Sequence, residues 1–194
     1  WTRPVTPLIG GTLTNAVHQE QLVAKDREGI RMLDTAINGG EIVTGRGRVR
    51  ANVGIADGKI ATLSTTQLDA RRVVDASGVL VLAGAIDAHT HFRDPAWQHK
   101  EDFESGTRAA ASGGVTTVLE MPMANVGTSS ADRLRDRRFL LEKKALIDFG
   151  FVAGAGQESI ENIAGLAEAG AVGFKSFLRE PYPGRAANFS GTWI

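Results

Sequence analysis

From residue 79 onward, short unbroken apolar runs alternate with helical segments, and this alternation constrains the fold more than any other feature of the chain. The runs at 79–86, 115–121, 147–152 and 171–177 read as buried parallel strands, because a strand covered on both faces is apolar along its whole length. Helices are expected between them at 101–112, 129–145 and 157–168. The first runs into Gly113-Gly114 and the third stops at Gly170, as helix C-termini commonly do. The second opens with Ser129-Ser130-Ala131-Asp132, which supplies a cap and a first-turn charge, and it closes with Lys143-Lys144. Its basic residues, interspersed with Asp132, Asp136 and Glu142, read as a solvated helix face rather than a nucleic-acid patch. Strands joined by helices form βαβ units, whose two common solutions are a doubly wound sheet and a (β/α)8 barrel.

Residues 32–78 have a different texture. Short β-branched segments at 33–37, 41–44, 48–55 and 59–63 are separated by turns. Val49, Ala51, Val53 and Ile55 alternate with Arg48, Arg50, Asn52 and Gly54, the period of a strand with one wet face. Asp57-Gly58 is a two-residue hairpin signal, and Gly45-Arg46-Gly47-Arg48 reads as the preceding turn. Residues 1–31 have no such period and contain Pro4, Pro7 and Gly10-Gly11, so they read as a poorly ordered tail.

Composition excludes several classes. The 22 Lys and Arg balance 22 Asp and Glu, so no net field draws a nucleic acid or an anionic membrane. With no Cys there can be neither disulfides nor thiolate metal sites. The longest apolar run, at 79–86, is far below the ~20 residues of a membrane span. The chain start lacks a signal-peptide pattern, so a soluble cytoplasmic protein is expected.

Asp87-Ala88-His89-Thr90-His91 stands where the first parallel strand ends. Residues two apart on an extended chain point the same way, so His89 and His91 can present two imidazoles as a metal clamp. The alternative is a pair of polar loop histidines. Lys175 lies inside the fourth apolar run, in Gly173-Phe174-Lys175-Ser176-Phe177. A buried ammonium must be paired, deprotonated or modified, and a free amine can add carbon dioxide to become a carbamate with two oxygen donors. Equally, its stem can cross the core with its head in water. His18 and His99 read as exposed polar residues. Gly154-Ala155-Gly156 has Ser159 where a dinucleotide site needs a third glycine.

The stretch Gly84-Ala85-Ile86-Asp87-Ala88-His89-Thr90-His91-Phe92-Arg93-Asp94-Pro95, followed by Glu101-Asp102-Phe103-Glu104-Ser105-Gly106-Thr107-Arg108, resembles the cyclic amidohydrolases, the family of dihydroorotase, allantoinase and the hydantoinases. The resemblance runs from about Met32 through Lys175. It implies a small β-sandwich segment over 32–78 and, from 79 to 194, the first half of a TIM (β/α)8 barrel, since a whole barrel takes ~250 residues. Met32 then looks like a natural start, and residues 1–31 receive no function. By the same resemblance, His89 and His91 bind one Zn2+, and Lys175, carboxylated, bridges it to a second, the two metals activating water and polarising a ring carbonyl.

Arg93 and Asn125 are the implied substrate-binding residues. Arg93 stands where dihydroorotases hold the substrate carboxylate, which a guanidinium can grip with two hydrogen bonds. Met121-Pro122-Met123-Ala124-Asn125 lacks the Asn that dihydroorotases have directly after Met-Pro, and Glu120 with Gly173-Phe174-Lys175 resembles allantoinases more closely. The implied function is opening of a cyclic amide C–N bond, dihydroorotase-like, with allantoinase or hydantoinase as alternatives. From another class, the alternative is a non-catalytic structural or interaction relative, or an inactive fragment. The implied partner is a small cyclic amide, with no nucleic acid, no membrane, and a homo-oligomer at full length. Because no His follows His99, the family's remaining ligands and its proton-shuttling Asp are expected outside this chain, which reads as a partial sequence with open apolar strand edges.

Overall fold

The computed structural model describes residues 32–92, 94–95, 98–122, 130–155 and 157–176. The readings placed on residues 1–31, Arg93, Asn125 and 177–194 lie outside these residues. The chain divides into two compact units after Ala83.

The first unit is all β. Strands β1 (Leu33–Asn38), β4 (Asn52–Ala56), β5 (Lys59–Ser64) and β6 (Ala70–Asp75) form one sheet in the order β5-β4-β1-β6. Strands β2 (Glu41–Thr44), β3 (Gly47–Arg50) and β7 (Leu80–Val81) form a second, in the order β3-β2-β7. The hairpin turn between β4 and β5 has positive φ at both Asp57 (51°) and Gly58 (69°), the twist a two-residue turn needs.

Two expectations fail here. The single strand at 48–55 is two strands in different sheets: β3 is exposed throughout, whereas β4 begins with three buried residues. Buried Asn52 fixes the change of direction, its amide accepting from the Gly39 N–H at 2.7 Å and donating to the Thr66 carbonyl at 2.7 Å. The run at 79–86 is likewise split, since Leu80 and Val81 pair with β2 while Ala85 begins the first strand of the second unit, so the small sheets extend past residue 78. An apolar run is silent about which sheet it joins. Strand β6, carrying Arg71 and Arg72 between its apolar residues, had no legible strand pattern.

In the second unit the chain alternates β8 (Ala85–Thr90), α1 (Phe103–Ser112), β9 (Val115–Glu120), α2 (Ala131–Leu141), β10 (Asp148–Gly154), a 3-10 turn (Gln157–Asn162) leading into α3 (Ile163–Glu168), and β11 (Ala171–Lys175). All pairings are parallel and the order is β11-β10-β9-β8. A doubly wound sheet reverses its order at a switch point, whereas here each strand is added on the same side, which is the winding of a barrel. Helix α1 is capped by Asp102, whose carboxylate accepts from the Ser105 N–H at 2.7 Å in a capping box. Phe103, Leu134, Leu141 and Leu166 from the helices meet Val118, Phe151 and Ala153 of the sheet to form the core. Phe92, Phe103, Phe149 and Phe151 stack edge to face through it, with centroids 5.0–5.4 Å apart. Among the described residues no helix is long and apolar enough to cross a membrane.

The expectation of four buried strands holds only for the middle of the sheet. In β8, Ala85 to His89 are all exposed, Ile86 by 66%, and in β11 Phe174 is 41% exposed. Each outer strand has one neighbour among the described strands, so its apolar side chains gain only part of the cover that β9 and β10 enjoy.

Candidate metal centre

His89 is the penultimate residue of β8, and His91 follows directly after the strand. Between Asp87↔Val118 and Thr90↔Glu120, β8 advances three residues against two on β9, so a bulge falls at Ala88-His89. Bulges bend a strand and re-aim its side chains. Here the Asp87 carboxylate takes the His89 N–H at 3.1 Å. The two imidazole centroids lie 5.4 Å apart, with the rings tilted by 60°. From the opposite edge of the sheet, Lys175 Nζ comes within 3.4 Å of His89 Nε2. Its strand end is tied to β10, since the Lys175 carbonyl accepts from the Ala155 N–H at 2.9 Å and Ser176 Oγ donates to the Ala155 carbonyl at 2.8 Å.

The sequence-derived trio of His89, His91 and Lys175 is thus brought together. Their donor set fits a metal: two imidazole nitrogens stand beside an amine, which is itself a nitrogen donor once deprotonated. Among the described residues no group of three His, Asp or Glu side chains converges for this purpose. Arg93 and Asn125 fall outside the described residues, and His99 is exposed, as a polar loop residue should be.

Behind the trio lies a buried charge network that the sequence reading missed. Glu120, at the end of β9, is 0% exposed and pairs with Arg137 of α2 at 2.9 Å, the Arg side chain being 1% exposed. Glu120 Oε2 also accepts from the Thr90 hydroxyl at 3.2 Å and from the Phe92 N–H at 3.1 Å. Arg137 donates to the Asp94 carbonyl at 3.2 Å, and the Asp94 carboxylate receives the Phe103 N–H at 3.1 Å and Lys144 Nζ at 2.7 Å. Burial pushes the Glu120 carboxyl upward, opposed by Arg137 and by the two donors at Thr90 and Phe92. Burial likewise pushes the Arg137 guanidinium downward, opposed by Glu120 and Asp94.

The solvated-face reading of α2 therefore needs correction at Arg137. That residue lies three after Leu134 and four before Leu141, on the helix's only buried stripe. A cation on an apolar stripe, together with an acid closing an apolar strand, was the available signal.

The strand-end histidines and the singly wound sheet are the observations against which known proteins can be compared. The model of the amidohydrolase family matches residues 80–180. The chain belongs to that family. Among curated amidohydrolases, an allantoinase from Deinococcus radiodurans is 38% identical over 148 residues, covering 75% of this chain and 33% of that protein. A dihydroorotase from Methanothermobacter thermautotrophicus is 40% identical over 127 residues, covering 66% of this chain and 29% of that protein. Among solved amidohydrolase structures, L-hydantoinase (dihydropyrimidinase) from Arthrobacter aurescens superposes with a TM-score of 0.76 at 30% identity, over 80% of this chain and 35% of that one. The chain thus spans about a third of the length of these relatives. The fold class is α/β, with the opening strand–helix repeats of a TIM barrel after a small β unit.

Proposed function

We propose that the chain forms part of a metal-dependent hydrolase that opens the C–N bond of a cyclic amide. The observation that carries this reading is the meeting of His89, His91 and Lys175 at the C-terminal strand ends of a singly wound parallel sheet, the end at which barrel active sites are built. His89 and His91 would hold one Zn2+. Lys175 would bridge it to a second after its neutral amine adds carbon dioxide, forming an N–C bond and releasing the amine's proton, so that a carbamate with two oxygens replaces an ammonium. Bound metal supplies Lewis acidity toward the ring carbonyl and lowers the pKa of water. The domain reading, a β-sandwich segment followed by the start of a barrel, belongs to the same proposal, with its boundary moved from residue 78 to the division after Ala83.

For the substrate, a dihydroorotase-like ring is proposed first. Arg93, two residues beyond His91, has the chemistry to grip a ring carboxylate with two hydrogen bonds, and Asn125 is the second proposed contact. An allantoinase or hydantoinase reading is the alternative, supported by the lack of an Asn directly after Met121-Pro122 and by Glu120 with Gly173-Phe174-Lys175, which resemble allantoinases more closely. A cytoplasmic setting and a homo-oligomer complete the proposal. The test measures metal content and turnover of dihydroorotate, allantoin and hydantoin by the complete gene product, with Arg93→Met alongside. Selective loss of the carboxylate-bearing ring is expected for Arg93→Met. Equal loss on all three rings would remove the dihydroorotase-like assignment, and a protein that binds no metal and opens no ring would remove the whole reading.

A further inference from the structure

We propose that Glu120 is a positioning residue for the metal ligand His91, fixing the backbone on both sides of it through a single carboxylate oxygen. The inference rests on the metal-site reading above. Oε2 of Glu120 accepts from Thr90 Oγ1 at 3.2 Å and from the Phe92 N–H at 3.1 Å, so the residues immediately before and after His91 hang from one atom. The Thr90 hydroxyl shares that proton with the Leu119 carbonyl, also at 3.2 Å, and Thr90 is held further by its own carbonyl, which accepts from the Met121 N–H at 2.9 Å. Phe92 is 7% exposed, with its ring against Phe103 and against Gly106, where a Cβ would collide with it.

The clamp acts where the sheet itself holds β8 least. The ladder between β8 and β9 is interrupted between Asp87 and Thr90, and His91 lies beyond the last strand residue. Glu120 in turn is held by Arg137 at Oε1, so the carboxylate cannot swing toward solvent without abandoning a buried cation. Groups that orient a metal ligand act through geometry, and their loss typically weakens metal binding by roughly 10- to 100-fold.

The chemistry of an amide allows the clamp to be separated from the ion pair. Gln at position 120 has one acceptor oxygen: facing Thr90 and Phe92, it turns its NH2 against Arg137; facing Arg137, it turns its NH2 against the Phe92 N–H. Replacing Arg137 by Met at the same time removes the conflict and lets the amide oxygen serve Thr90 and Phe92. Arg137→Met alone leaves a carboxyl acceptor for the Phe92 N–H, while sacrificing the ion pair.

Co2+ affinity, the cobalt absorption spectrum and the thermal midpoint of the metal-free protein are to be measured on the complete gene product, unaltered and as Glu120→Gln, Arg137→Met, Glu120→Gln/Arg137→Met and His91→Ala. Glu120→Gln is expected to weaken Co2+ binding by roughly 10- to 100-fold and alter the spectrum, with the double variant recovering most of both. Arg137→Met is expected to lose stability yet keep its spectrum and most of its affinity. If affinity merely follows the thermal midpoint across the variants, the positioning role is overturned while the metal site stands. If the unaltered complete gene product binds no Co2+, or binds it equally well with His91→Ala, the metal-site reading fails and takes the inference with it.

Discussion

Arg137→Met isolates the energetic role of the buried pair. The partners lie 2.9 Å apart with side chains 1% and 0% exposed, so solvent screening leaves their interaction nearly untouched. Removing the guanidinium leaves Glu120 buried with its donors at Thr90 and Phe92, and takes one donor from the Asp94 carbonyl. Breaking a buried pair from one side costs about 3–5 kcal/mol, because the remaining charge keeps its desolvation penalty and loses its compensation. At roughly 3 °C per kcal/mol for a chain of this length, the thermal midpoint should fall by about 9–15 °C. Glu120→Gln/Arg137→Met should recover more than half of the loss, since no buried charge then lacks its partner. Thermal and urea denaturation followed by circular dichroism measure both variants. A single variant within about 1 kcal/mol of the unaltered chain would refute the reasoning, since it would place the pair in the range of solvent-screened surface bridges.

Two further perturbations test the frame around the site. Gly106→Ala drives a Cβ into the Phe92 ring; overpacking of about 1–3 kcal/mol should outweigh the helix-propensity gain of up to ~1 kcal/mol, and an unchanged or raised midpoint would contradict the close approach. The Asp102 carboxyl is held below its ordinary value of 3.8, first by the Ser105 N–H and hydroxyl. Its contribution is therefore complete above that ordinary value and is lost as pH falls through the lowered one, so the first turn of α1 should fray on acidification. Asp102→Asn should abolish this pH dependence of the Ser105 amide exchange rate, and a dependence that persists in the variant would assign it to another group.

What was legible in the sequence was local. His89 and His91 share a face through a spacing of two, Asp57-Gly58 supplies positive φ on its own, and Gly170 ends a helix wherever that helix packs. The Glu120–Arg137 pair is not local: its members lie 17 residues apart on a strand and a helix, and they meet only because the βαβ crossover lays α2 over the end of β9. The split of the 79–86 run was hidden for a similar reason, since Leu80 and Ile86 are equally apolar while belonging to different sheets. Exposure along β8 and β11 follows from strand order, which hydrophobic pattern alone does not encode.

Strand order also explains how Lys175 can reach His89. Strands lie ~4.8 Å apart, so the outer strands of a flat four-stranded sheet would stand about 14 Å from each other. Two side chains can close that gap to a 3.4 Å approach only if both rise from the same face and the sheet curves toward it. Curvature of this kind comes with strand tilt and stagger in a barrel, and the register shifts at Ala85/Ile86, Asp87/Thr90 and Phe151/Val152 are where this sheet departs from a regular ladder. The same irregularities that let the two edges approach also deprive β8 of ladder bonds beside His89. Precision at that edge must then come from side chains, and the residues positioned to supply it are Asp87 at the His89 amide and Glu120 at Thr90 and Phe92. The buried ion pair behind the site is thus the counterpart of the bulge in front of it: one shapes the strand end toward Lys175, and the other keeps it there.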